Sequence, residues 1–142
     1  MTGACVFCGI VEGRLEASLL YDDQRVVAFM DLNPITPGHL LVIPKAHAAS
    51  LDELDAEDGA QAFRVAQRLA AAVRASGLRS EGVNLFLADG EAAGQEVFHV
   101  HLHVFPRTPG DGFRIDADWR VRPRAELDES AERVRSGLAA TA

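Results

Sequence analysis

From Gln95 to Arg107 the chain alternates imidazoles with bulky apolar side chains, His99-Val100-His101-Leu102-His103-Val104. A period of two predicts a half-buried strand that shows apolar residues on one face and three histidines on the other. Neighbouring histidines on that face stand about 6.6 Å apart and the outer two about 13 Å apart. One metal ion does not reach all three, because zinc–nitrogen bonds are about 2.0–2.1 Å. Shorter apolar runs predict four more strands: two around the Asp22-Asp23 turn between Leu19 and Asp31, the second over Val26 to Met30, then His39 to Pro44, then Gly82 to Ala88. Asn33-Pro34 and Thr36-Pro37-Gly38 break the pattern, so 31–38 reads as a loop.

The period changes after Asp55. Ala62, Val65, Ala66, Leu69 and Val73 follow helical spacing, with Asp55 as cap, Glu57 and Asp58 in the first turn and Gly77 as the stop. A second amphipathic helix closes the chain, with Leu127, Ala131, Val134 and Leu138 on one side. The resulting order of strands and helices predicts an α+β fold on one domain, 1–142. It has an antiparallel sheet of about five strands, one long helix and a C-terminal helix. The loop Asp89-Gly90-Glu91-Ala92-Ala93-Gly94 precedes the histidine row, and the amides of Gly94 and Gln95 are candidates to approach an anion.

The chain has 142 residues, 48% hydrophobic and 25% charged, which is the composition of a soluble globular protein. No apolar run nears the roughly 20 residues of a membrane span, and no basic flank with an apolar core reads as a signal peptide, so a cytoplasmic location is expected. A net charge of −7 argues against a nucleic acid polymer or an anionic membrane as partner, while a local pocket for a small anion stays open. Cys5 and Cys8 are the only cysteines. In a reducing compartment a C-x-x-C pair is a redox motif or half a metal site. A redox motif of the thioredoxin kind should follow a strand, yet four residues precede Cys5, which favours metal with two ligands from elsewhere.

Gly38-His39, the Pro44-Lys45-Ala46-His47 exit, the glycine-bracketed loop ending in Gly94-Gln95 and the H-x-H-x-H run together resemble the histidine triad (HIT) superfamily over nearly the whole chain. The likeness is greatest to the bacterial proteins of the Hint type. It implies a homodimer whose sheets join across a two-fold axis. It also implies hydrolysis of nucleotidyl bonds in a purine nucleoside phosphoramidate or dinucleoside polyphosphate. By position, His101 matches the nucleophile that forms a nucleotidyl-histidine intermediate, and His103 and His39 match the flanking histidines that orient the site. Asp31 matches a ribose ligand, Phe29 and Leu32 the base pocket, and Gly94, Gln95, Glu96 and His99 the surroundings of the phosphate. An imidazole with one nitrogen held protonated by a backbone acceptor keeps the other free as a neutral nucleophile. Cys5, Cys8, His47 and His99 match the zinc ligands of a metal-bearing subgroup, a closed Cys₂His₂ set of the structural kind. Two positions depart from the pattern: Ala88 replaces an amide and Glu96 a hydroxyl. Both leave room for a slow or non-catalytic nucleotide-binding protein, and an open metal on two of the row's histidines is a third reading.

Overall fold

The computed structural model describes residues 4–141. Five strands, β1 (Leu19–Asp22), β2 (Val26–Met30), β3 (Leu40–Pro44), β4 (Gly82–Phe86) and β5 (Leu102–Arg107), form one sheet in the order β1-β2-β3-β5-β4, and every neighbouring pair is antiparallel. Three helices accompany it: α1 (Val6–Val11), α2 (Ala56–Ala75) and α3 (Arg124–Ala140). The α+β architecture is the one read from the patterning, with α1 as an addition to it.

The local signals act as expected at both ends of α2. Asp55 accepts from the amides of Glu57 and Asp58, and the chain leaves the helix through Gly77 at φ +85°. In the β1–β2 turn, burial pushes the Asp23 carboxyl up. Hydrogen bonds from the Val26 and Arg25 amides, Gln61 and Tyr21 outweigh it and hold the group at about 2.

The sheet is covered on both faces, which is why β2 and β3 read as continuous apolar runs rather than alternating ones. Val26, Ala28, Leu40, Val42 and Val104 pack under Ala62, Val65, Ala66, Ala70 and Val73 of α2. The opposite face, Val27, Phe29, Leu41 and Ile43, meets Phe7 of α1, with Cys5, Ile10 and Val11 at its edge. The amino-terminal segment is therefore a short helix seated on the sheet. Its one buried aromatic supplies the apolar contact, at roughly 1.5–3 kcal/mol for a fully buried large side chain.

Three strands are shorter than their patterns, β3 beginning at Leu40 instead of His39. β4 stops at Phe86 instead of Ala88, and β5 begins at Leu102, so only His103 of the histidine row lies in a strand. The ladder runs out for identifiable reasons. β4 pairs no further than Phe86↔His103, and β3 no further than Val42↔Leu102, beyond which Pro44 has no amide hydrogen to give. α3 forms as predicted, but none of its residues is buried within the chain, and Val134 and Leu138 are 71% and 70% exposed.

Candidate active site and metal centre

His99 and His101 lie in the non-strand segment before β5, tied down by the Val100 amide, which donates to the Ala48 carbonyl at 2.8 Å. His39 immediately precedes β3, and its carbonyl accepts from the Asp31 amide at 3.0 Å. With His101 freed from the pleat, its ring sits closer to His103 than in a straight strand, the centroids 4.9 Å apart, and across the sheet those of His39 and His103 are 5.1 Å apart.

Backbone groups dictate which nitrogen of each buried ring carries the proton. A carbonyl only accepts, so His101 Nδ1–H donates to the His99 carbonyl at 2.8 Å and leaves Nε2 bare. His99 Nε2–H likewise donates to the Pro44 carbonyl at 2.8 Å, which leaves Nδ1 bare. An amide only donates, so the Ile35 N–H at 2.9 Å makes His39 Nδ1 the acceptor and puts the His39 proton on Nε2. That proton reaches His103 Nδ1 at 2.8 Å, with Asp31 Oδ2 at 3.4 Å, and His103 then carries its own hydrogen on Nε2. Burial lowers the His39 pKa against the pull of Asp31. Burial, with the neighbouring His101 and His39, takes His103 down to about 4, so both rings are neutral at pH 7. The set contains one bare imidazole nitrogen on His101 beside one imidazole donor on His103.

The bare Nδ1 of His99 faces a second cluster. It lies 3.5 Å from Cys5 Sγ, 3.6 Å from Cys8 Sγ and 3.2 Å from His47 Nδ1, and His47 Nδ1 is 3.3 Å from Cys8 Sγ. A regular tetrahedron of zinc bonds has edges of about 3.6 Å between sulfur and nitrogen and about 3.3 Å between nitrogens. These four donors therefore fit zinc in spacing and type and His99 also in tautomer, since its outer N–H on a backbone carbonyl is the usual support for a metal-bound histidine. Burial, helped by Cys5, pushes the Cys8 thiol up to about 11, and a bound dication reverses that cost by favouring the thiolate. Asp31, His39 and His103 also bring three donor atoms together. They do not fit a metal in the same way, since the Ile35 amide leaves His39 with a proton, not a lone pair, on the inward nitrogen. A metal ion at this trio fails on that hydrogen bond.

Other predicted positions divide. Asp31 is in contact with the histidines and also accepts from the Asn33 amide. Leu32 is fully exposed, whereas Phe29 is 3% exposed inside the core below α1 and presents little surface of its own. The amides of Gly94 and Gln95 are not free for an anion: they donate to the Glu91 and Gly90 carbonyls at 2.9 and 3.1 Å. The buried Gln95 side chain braces the same loop, accepting from the Gly90 amide and donating to the carbonyls of Ala49 and Val97. Glu96 is exposed and has no ion pair among the described residues, and Ala88 is buried. Two aromatic residues escaped the sequence reading. Phe7 stands edge-on to His101 at 5.1 Å and to His99 at 5.9 Å, and Phe86 lies 5.9 Å from His103. An aromatic between the two cysteines was the available signal for the first.

Residues 12–110 match the family model of the HIT domain. A relative from Bacillus subtilis, "Protein hit", is 37% identical over 136 residues, 95% of this chain and 92% of that protein. The crystal structure of a histidine triad nucleotide-binding protein from Candida albicans superposes with a TM-score of 0.88 at 26% identity, covering 98% of this chain and all of that one. A zinc-bound histidine triad family protein from Mycobacterium smegmatis superposes with a TM-score of 0.76 at 39% identity and full coverage of both chains.

Proposed function

The chain belongs to the HIT domain family, and from that premise we propose that it hydrolyses nucleotidyl bonds at the α-phosphorus through a nucleotidyl-histidine on His101. The substrate is a purine nucleoside phosphoramidate or a dinucleoside polyphosphate. One observation carries the reading: the His99 carbonyl holds His101 Nδ1–H at 2.8 Å, so Nε2 keeps its lone pair. In the first step that lone pair bonds to phosphorus as the bond to the leaving amine or phosphate breaks. In the second, water displaces His101 and releases the nucleoside monophosphate. His103 Nε2–H donates to a phosphoryl or leaving-group oxygen or nitrogen, and His39 keeps it in that role. Asp31 is assigned to the ribose hydroxyls, Leu32 to the base, and Gln95 to the shape of the loop beside the phosphate.

Cys5, Cys8, His47 and His99 would hold a zinc ion, which when bound supplies a structural cross-link between α1, the exit of β3 and the segment before β5. The uncovered apolar side of α3 favours a homodimer, because a lone 17-residue helix with no buried face is marginal in water. A slower, binding-only protein is favoured by the exposed carboxylate of Glu96 and by Ala88, which brings no amide. The test mixes protein with adenosine and guanosine phosphoramidates, dinucleoside polyphosphates and adenylylated lysine, then quenches in base. A nucleotidyl adduct on the peptide bearing His101, absent from His101→Ala, is expected. His101→Ala should retain fold and nucleotide binding with under about a hundredth of the rate, and a larger residual rate would rule out covalent catalysis.

A further inference from the structure

The proton on His103 Nε2 is set by a chain of hydrogen bonds that begins outside the histidine cluster. It starts at the Ile35 amide, passes through His39 and ends at His103 Nδ1. Each link permits one polarity: reversing His39 would aim an N–H at the Ile35 N–H and a lone pair at the His103 lone pair. Ile35, however, belongs to the 31–38 loop, whose residues 32–35 are exposed. An amide in such a loop fixes a buried tautomer only if something fixes the loop.

Thr36 does so. Its hydroxyl donates to the Pro106 carbonyl at 2.7 Å, two residues along β5 from Val104, the last residue with a β3 partner. Its own carbonyl accepts from the His39 amide at 3.1 Å. Among the described residues no other side chain of this loop makes a hydrogen bond to β5, the Asp31 carboxylate standing 3.9 Å from His103 Nδ1. Gly38, at φ +98°, lets the loop press on the sheet, since a Cβ there would meet Pro106 Cγ at 3.2 Å and Leu78 Cδ1 at 3.0 Å.

We infer that Thr36 is a positioning residue for the reacting centre: by bolting the loop to β5 it holds the Ile35 amide on His39, and so makes His103 a hydrogen-bond donor beside His101. Without the bolt, water takes the place of the amide at His39 Nδ1. Water donates or accepts equally well, so both rings then populate both tautomers.

The experiment records long-range ¹H–¹⁵N spectra of the imidazoles in the wild type, Thr36→Val, Thr36→Ser and Ile35→Pro, the last of which removes the amide hydrogen and leaves the hydroxyl. The wild type should show His39 and His103 protonated on Nε2 alone. Thr36→Val and Ile35→Pro should show mixed tautomers, and Thr36→Ser should restore the single form. The kinetic arm rests on the hydrolase reading. On a nucleoside phosphoramidate, kcat should fall about five- to tenfold in Thr36→Val, the loss of one hydrogen bond. KM should stay within about twofold and Thr36→Ser should be near wild type. A Thr36→Val protein with wild-type tautomers and a lower melting temperature only would reduce Thr36 to a structural residue. Unmixed tautomers in Ile35→Pro would overturn the inference even if Thr36→Val does not fold. Absence of hydrolysis by the wild type would count against the hydrolase reading alone, because the spectra need no turnover.

Discussion

Removing the two thiols of the candidate metal set, Cys5 at the cap of α1 and Cys8 within it, tests the proposed zinc centre and its link to the sheet. In Cys5→Ser with Cys8→Ser, two of the four donors become hydroxyls, which zinc binds weakly, and α1 keeps only the packing of Phe7 and its neighbours on Val27, Phe29, Leu41 and Ile43. A ligand that binds only the folded chain stabilises by RT ln(1 + [L]/Kd), about 4 kcal/mol when free zinc is a thousand times Kd. For a chain of this size each kcal/mol moves the melting temperature by roughly 3–5 °C, so the double variant should melt about 12–20 °C lower. Activity per folded molecule should fall less, since the His101 ring is bonded to the His99 carbonyl rather than to a donor of the metal set. The assay pairs elemental analysis of protein purified without added metal with thermal unfolding, before and after a strong chelator. About one zinc per chain and a chelator-induced shift of that size are expected. A stoichiometry near zero, with the same melting temperature in wild type and variant, would refute the site.

Two further outcomes are expected. Restoring family chemistry with Ala88→Asn and Glu96→Ser should raise kcat/KM on a phosphoramidate by removing an exposed anion and adding an amide, and an unchanged or lower value would mean that Glu96 assists turnover. Stability should also depend on acid. His39 and His103 have pKa values below that of a free imidazole, so the unfolded chain takes up protons first as pH drops. The His103 contribution is whole above about pH 6.5 and is lost as pH falls towards 4, with that of His39 changing in the same direction, a trend that His103→Gln should weaken when melting temperature is followed against pH.

Local residue chemistry determined much of this protein. The cap at Asp55, the stop at Gly77 and the helical spacing between them defined α2, and the Asp22-Asp23 turn with the run at Val26 defined the first hairpin, because those signals act within one turn of backbone. The histidine row, the Gly38-His39 pair and the two cysteines were legible as chemistry for the same reason: residue type and spacing are written in the chain. Other features were decided only in three dimensions. α1 escaped because its six residues carry too little periodicity, and Phe7 holds them by contacts with Phe29 and His101 far along the chain. The row's predicted strand was cut to its last histidine by the end of its neighbours' ladders at Val42 and Phe86. Above all, the tautomers rest on the carbonyls of Pro44 and His99 and the amide of Ile35. Every residue carries such groups, so no sequence marks which will meet a ring; their reach depends on where the folded backbone puts them.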